Sequence, residues 1–115
     1  MSMNEIFVFG SNLAGRHGKG AALYARQHHN AIYGQGEGRQ GTSYAIPTKD
    51  EQLKTRPLTL IQESVDKFIE HARRNPEDTF QLTAVGTGLA GIPIDTMKAM
   101  FKAAPSNVLK PKEFI

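Results

Sequence analysis

The chain has 115 residues, of which 39% are hydrophobic and 22% charged, and its formal net charge is +3. This length predicts a single domain, residues 1–115, and no apolar run is long enough to span a membrane. With no cysteine and no signal-like N-terminal segment, we exclude disulfide and thiolate chemistry and expect a cytoplasmic protein. The positive charge favours anionic partners without choosing between a nucleotide and a nucleic acid.

The first third of the chain is organised around a glycine-rich segment. After a loose start at residues 1–4, the apolar run Glu5–Phe9 predicts a buried first strand. The segment GSNLAGRHGKG follows at residues 10–20, and good helix formers then run from Gly20 to about Asn30. Residues 31–41, AIYGQGEGRQG, predict a turn-rich loop.

The middle of the chain predicts a strand and a long helix. Thr42–Thr48 has the composition of a strand, and Pro47 near its end is typical of an edge. After a charged loop, Pro57 and the spacing Thr59-x-x-Gln62 predict a helix start with a capping box. Asn75-Pro76 ends the helix. Its apolar stripe, at spacings of three and four, consists of Leu60, Ile61, Val65, Phe68, Ile69 and Ala72.

The last third repeats the order of strand, glycine loop and helix. Thr79–Val85 predicts a third strand, Gly86–Pro93 a glycine loop and Ile94–Ala104 a third helix. Asn107–Leu109 predicts a short last strand before a tail at residues 110–115. Strands that alternate with helices predict an α/β fold with a mostly parallel central sheet.

The glycines are confined to residues 10–41 and 86–91. In a parallel sheet, ligands bind beyond the carboxyl ends of the strands, which here are residues 10–12, 48–50 and 86–88. Both glycine loops are therefore expected at the same edge of the sheet. Glycine lets the backbone approach a ligand, and the start of a helix leaves N–H groups free, so we predict an anion site there.

Five polar residues near this edge are candidates for chemistry. Arg16 and Lys19 can add donors to the anion site. His17 suits an acid, base or phosphate-binding role, or is a solvated loop histidine. Asn12 can bond a ribose hydroxyl or cap a turn, and Asp50 can act as a general acid or base or belong to a charged surface loop.

Two familiar phosphate motifs are excluded. The segment is not the P-loop of nucleoside triphosphatases, because Gly20 follows Lys19 where Ser or Thr is required. It is not the dinucleotide fingerprint, because no acidic residue follows the second strand at a suitable place. No His, Asp or Glu spacing fits a metal site, so we expect neither metal nor cofactor. Tyr33 and Tyr44 can stack on a base or pack in the core.

Several stretches resemble the macro domain, the α/β/α module that binds ADP-ribose and related NAD-derived nucleotides. They are VFGSN at 8–12, GRHGKGAAL at 15–23, GTSYAIPT at 41–48 and TAVGTGLAGIP at 83–93. The last is similar to the phosphate-binding loop of macro domains. The order of these stretches resembles the compact branch that removes ADP-ribose from glutamate. The run FVFGSNLAGRHGKGAAL is also similar to small macro-like proteins of bacteria and their phages.

The resemblance implies a ligand site with Asn12 near the distal ribose and residues 86–91 around the diphosphate. Joined with the loop and strand-end residues above, it gives a predicted ligand-binding set. The set consists of Gly10, Ser11, Asn12, Arg16, Gly18, Lys19, Gly20, Ala21, Thr48, Gly86, Thr87, Gly88, Leu89, Ala90 and Gly91.

The catalytic pairs of the family are not matched. Lys19 and Ala90 stand where two hydrolase branches have aspartate, and Arg26 or Gln27 stands where one has its lysine nucleophile. We therefore expect a protein that binds ADP-ribose or a related nucleotide between two glycine-rich loops. The alternatives are a hydrolase of ADP-ribosyl bonds or ADP-ribose-1″-phosphate and, less favoured, a nucleic-acid-binding module. ADP-ribosylated protein or nucleic acid are further candidate partners, and no membrane is expected.

Overall fold

The strands of the chain form one sheet with helices on both faces. The structure is a computed structural model that describes residues 4–115. Its elements are β1 (Glu5–Asn12), α1 (Gly20–His28), β2 (Gly38–Gln40), β3 (Ser43–Lys49), α2 (Leu58–Arg74), β4 (Thr79–Leu82), α3 (Ile94–Met100), β5 (Val108–Leu109) and a short 3-10 helix (Lys112–Phe114).

The sheet has the order β2-β3-β1-β4-β5. β1 lies at its centre and runs parallel to β3 and β4, and β5 runs parallel to β4. Only β2 is antiparallel to its neighbour, β3, among the described strands. The expectation of an α/β fold with a mostly parallel central sheet is confirmed.

Alternation along β1 assigns its side chains to two cores. Ile6 and Val8 lie on the face covered by α2 and α3, in a cluster with Phe68, Phe80 and others. Phe9 lies on the opposite face with alanines of α1, and Phe7 packs against that smaller cluster. A period of two therefore gives each face of the central strand its own helical layer.

β1 is longer than the sequence predicted. It continues through Gly10 to Asn12, because Gly10 does not take a positive φ and the ladder to β3 goes on past it. Ser11 pairs with Pro47 and Asn12 with Lys49, so Thr48 is an extra residue in β3. This bulge lies at the carboxyl ends of the two strands, where bulges often re-aim side chains beside binding sites.

The predicted loop 31–41 contains a strand that the sequence did not reveal. β2 covers only three residues of it, and the pairing of β2 with β3 stops at Ala45. β3 has neighbours on both sides over Ser43–Ala45, but Pro47 near its end lies beyond β2, where β3 has no partner on that side. A backbone N–H is not required there.

Two further predictions about local structure were wrong. Pro57 is the N-cap residue of α2 and no side chain caps that end, so Thr59 and Gln62 form no capping box. Leu60 is 39% exposed and lies outside the buried stripe. The predicted tail at residues 110–115 contains the short 3-10 helix, and its Phe114 is buried in the main core and stacks with Phe101.

The ends of several elements differ from the predicted bounds. α1 stops at His28, β4 at Leu82 and α3 at Met100. After α3, the chain continues in tight turns in which Phe101 and Lys102 bond the carbonyls three residues back. The expected loose start falls mainly on residues 1–3, which lie outside the described residues. Across residues 4–115, no helix combines the length and apolarity needed to cross a bilayer.

Candidate functional site

A cavity of about 690 Å³ opens at the carboxyl ends of β1, β3 and β4. Every residue of the predicted ligand-binding set except Gly91 lines it. The first glycine loop (residues 13–19) and the second glycine loop (residues 86–91) therefore border the same space. The walls also include residues outside that set, namely Ala22, Tyr33, Lys49, Leu53, Thr83, Ala84 and Val85.

The Asn12 side chain fixes the path of the first glycine loop. Its Oδ1 accepts a hydrogen bond from the backbone N–H of Arg16 at 2.9 Å, and its Nδ2 donates to the Arg16 carbonyl at 3.0 Å. The Asn12 carbonyl accepts from the N–H of Gly15 at 2.9 Å. Because Asn12 is only 9% exposed, we assign it to holding the loop, the turn-capping alternative considered from the sequence.

The segment after α1 packs closely beneath the first glycine loop. The Gly34 N–H donates to the Gly15 carbonyl at 2.8 Å, and Ser11 Oγ donates to the Gly36 carbonyl. A Cβ on Gly15 would lie 2.3 Å from the Gly34 carbonyl carbon, and one on Gly36 would lie 2.1 Å from the Asn12 oxygen. Glycine is required at both positions because two backbone segments touch there.

The second glycine loop is anchored at both ends. Gly86 has a φ of +80°, and a Cβ there would meet Met97 Sδ at 3.1 Å and Ile92 Cδ1 at 3.2 Å. The Gly86 carbonyl accepts from the Ile92 N–H at 2.9 Å. Near the other end, Thr55 Oγ1 donates to the Ala90 carbonyl at 2.8 Å. The middle of the loop faces open space, since nothing lies within 4 Å of a Cβ on Gly88.

Residues 20–22 and 88–90 line this cavity, and their backbone N–H groups have no partner in the described part of the chain. α1 begins at Gly20 with no side-chain cap and no acidic residue in its first turn. Within residues 4–115, the N–H groups of residues 20–22 and of residues 88–90 have no hydrogen-bond acceptor. Unpaired consecutive amides at a helix start and in a turn form sites for anions.

The charged side chains in the walls are all cationic. They are Arg16, Lys19 and Lys49, and none of these belongs to an ion pair within the described residues. No aspartate, glutamate or histidine lines the cavity in that part of the chain. The walls therefore favour an anion and offer no carboxylate or imidazole as a general base.

The structure does not support His17 and Asp50 as catalytic groups. His17 is fully buried, its Nε2 lies 3.0 Å from the Gln35 carbonyl, and its ring edge meets Phe9. Since a carbonyl only accepts, Nε2 carries the proton, and we assign His17 to tying the loops together. Asp50 Oδ1 accepts from the N–H groups of Gln52 and Lys54 at 2.9 Å each, so it caps a turn outside the cavity.

The two tyrosines that the sequence offered for stacking have separate environments. Tyr33 lines the cavity, is 54% exposed and has the Arg26 guanidinium 5.0 Å from its ring centroid. Tyr44 is buried against Phe68 in the main core, which is the packing alternative. Burial, with a smaller effect of the Glu37 carboxylate, raises the pKa of Tyr44 to about 12.

Sequence reasoning missed part of the cavity wall. Residues 83–85 directly follow β4 and precede the second glycine loop, and this position at a strand end could have predicted that they line the cavity. Lys49 begins the charged loop that the sequence predicts after the second strand, and such loops are typical of the protein surface. The place of Leu53 in the cavity wall could not be predicted, because Leu53 lies in a polar loop that its sequence pattern assigns to solvent.

A polar network lies at the other end of β3, away from this cavity. Arg39 Nη1 donates to Asp78 Oδ2 at 3.3 Å and lies 3.3 Å from His71 Nε2. Burial and the neighbouring guanidinium lower the pKa of His71 below 6.5, partly opposed by the Asp78 carboxylate. The network links β2 to α2 and to the turn before β4.

The described residues contain no group of three or more His, Asp or Glu side chains placed to hold a metal ion. Comparison with protein-family models, with curated proteins and with solved structures gives no match. What this protein binds is therefore inferred from the cavity itself and from the sequence resemblance described above.

Proposed function

We propose that this protein binds ADP-ribose or a related NAD-derived nucleotide, with the diphosphate between the two glycine loops. The amides of residues 20–22 and 88–90 donate to the phosphate oxygens from two sides. Arg16, Lys19 and Lys49 add positive charge around the same anion.

The observation that carries this proposal is the meeting of two unpaired amide runs in one cavity. A single glycine loop often only turns the chain, and the first N–H groups of a helix are unpaired in many proteins. Two such runs from distant segments, in a cavity whose charged lining residues are all cationic within residues 4–115, favour a ligand with more than one anionic group. The volume of about 690 Å³ lies in the usual range for small-molecule sites.

Binding is favoured over hydrolysis by the composition of the walls. Hydrolysis of an ADP-ribosyl bond needs a group that activates water, and the candidates from the sequence, His17 and Asp50, do not reach the cavity. The Asn12 side chain is engaged as well, because it bonds the backbone N–H and carbonyl of Arg16. We therefore propose a binding protein that holds the nucleotide without turnover.

Thermal unfolding with four ligands tests the proposal: ADP-ribose, NAD, AMP and a short oligonucleotide. A ligand at a hundredfold its Kd stabilises the folded state by about 2.7 kcal/mol, which raises Tm by about 10 °C for a chain of this size. We expect ADP-ribose to raise Tm most, and the mononucleotide less, because AMP carries one phosphate.

The matched variants are Gly88→Val and Ser106→Val. Both positions are exposed, but only Gly88 lines the cavity, where an added Cβ has no neighbour within 4 Å and a valine side chain would occupy ligand space. We expect both variants to fold and only Gly88→Val to lose the ADP-ribose shift. Stabilisation by the oligonucleotide alone would contradict the proposal and favour nucleic-acid binding, and release of ADP-ribose from modified protein would favour the hydrolase.

A further inference from the structure

The backbone of Leu53 adopts a conformation that leucine rarely takes. Its φ is +63°, in the left-handed region where a side chain with a Cβ is strained. The other non-glycine residue with positive φ within residues 4–115 is Asn30, and asparagine tolerates this region well. Asn30 lies outside the cavity wall, whereas Leu53 lines it and is 41% exposed. The strained residue is therefore also an apolar residue in the cavity wall.

The turn around Leu53 is held in place by its own hydrogen bonds. The Asp50 carboxylate caps it, the Asp50 N–H donates to the Lys54 carbonyl at 2.7 Å, and the Leu53 N–H donates to the Asp50 carbonyl at 3.1 Å. Strain of this kind persists only where neighbouring bonds determine the conformation. Asp50 does not line the cavity, but its hydrogen bonds hold the turn and so fix where the Leu53 side chain lies.

This turn is joined to the second glycine loop. The hydrogen bond from Thr55 to the Ala90 carbonyl is flanked by Leu53, two residues before Thr55, and Leu89, one residue before Ala90. Leu89 is 74% exposed and also lines the cavity. Two leucines from different loops thus line the cavity, each within two residues of the same loop-to-loop hydrogen bond.

We propose that Leu53 and Leu89 form the surface on which the nucleobase packs, and that Leu53 sets the preference for a ring-bearing ligand. This inference rests on the proposed function. Leucine side chains cannot bond phosphate or ribose hydroxyls, but they gain free energy by covering the apolar face of a ring. The alternative surface, Tyr33, already has the Arg26 guanidinium near its ring.

Calorimetric titration with ADP, ADP-ribose and inorganic pyrophosphate tests this, because only the first two carry a base. The variants are Leu53→Gly, which removes the side chain and relieves the strain, and Asn30→Gly, which relaxes the other positive-φ position away from the cavity. We expect Leu53→Gly to bind ADP and ADP-ribose about tenfold more weakly. Pyrophosphate affinity should change less than about twofold, and Tm should not fall.

Asn30→Gly should bind all three ligands as the unmodified protein does. Equal affinity of Leu53→Gly and the unmodified protein for ADP would overturn the inference. If Leu53→Gly lost as much affinity for pyrophosphate as for ADP, the inference would also be overturned, since Leu53 would then support the loops and not the base. If Leu53→Gly lost affinity for ADP-ribose but not for ADP, the second ribose and not the base would lie at the leucines, which also contradicts the inference. If the unmodified protein binds none of the ligands, the proposed function itself fails.

Discussion

The Asn12 side chain holds the backbone of Arg16 through two hydrogen bonds, of 2.9 and 3.0 Å, at the point where the central strand ends. The first glycine loop leaves β1 through this contact, and the loop leads directly to the free amides of α1. A buried amide side chain thus links the centre of the sheet to the proposed phosphate site.

We predict that Asn12→Ala lowers both stability and affinity. It leaves the Arg16 N–H and carbonyl without their partner, which costs about 1–3 kcal/mol in the free energy of unfolding. ADP-ribose affinity should fall as well, because the first glycine loop is no longer held. The control is Asn107→Ala, since Asn107 Nδ2 bonds three carbonyls outside the cavity. Urea unfolding should show a similar loss for both variants, and calorimetry should show weaker binding for Asn12→Ala alone.

Two neighbouring glycines should respond differently to alanine. Gly15→Ala places a Cβ 2.3 Å from the backbone of Gly34 at a φ of +70°, so we expect a loss of about 3 kcal/mol or more. Gly18 has open space and no positive φ, so Gly18→Ala should stay within about 0.5 kcal/mol of the unmodified protein. Urea unfolding of the two variants measures this. Equal stabilities would show that the first glycine loop does not pack on residue 34.

Lys19 and Lys49 should contribute electrostatically to binding. Each lines the cavity without an ion-pair partner in the described chain, so Lys19→Gln and Lys49→Gln should each weaken ADP-ribose binding about threefold at low salt. At about 0.3 M salt the difference should shrink, because the charges are screened. Lys67→Gln, at an exposed position of α2 outside the cavity, is the control. Calorimetry at the two salt concentrations would contradict this account if all three variants behaved alike.

Stability should fall in mild acid because of His71. Burial first, and then the Arg39 guanidinium, lower the pKa of His71 in the folded protein, with Asp78 in partial opposition. The unfolded chain takes up this proton near pH 6.5, before the folded protein does. Below that pH the unfolded state holds more protons, so the free energy of unfolding decreases as pH falls towards the folded pKa. The contribution is fully present above pH 6.5.

Urea unfolding at a series of pH values checks this sign. His71→Gln should lose less stability between about pH 7.5 and pH 5 than the unmodified protein, because it lacks the titrating ring. If both proteins lose the same amount, His71 does not make this contribution.

The sequence predicted the layers of the fold and the meeting of the two glycine loops. Alternation in β1 and the apolar stripe of α2 are local patterns, and the topology of a parallel sheet brings strand ends together. It did not predict β2, because a three-residue strand in a glycine-rich segment has no pattern of its own. The role of His17 was also hidden, since the carbonyl of Gln35 that bonds it comes from a loop 18 residues away. Leu53 could not be found because its position depends on the hydrogen bonds of a polar turn.

The central claim is that backbone amides of residues 20–22 and 88–90 bind a diphosphate. Titration of the ¹⁵N-labelled protein with ADP-ribose, followed by amide NMR, tests it most directly. We predict that the largest shift changes fall in these two runs together, while amides of the Arg39–His71–Asp78 network stay unchanged. Saturable shifts confined to other amides, or no shifts at all at millimolar ADP-ribose, would contradict the account.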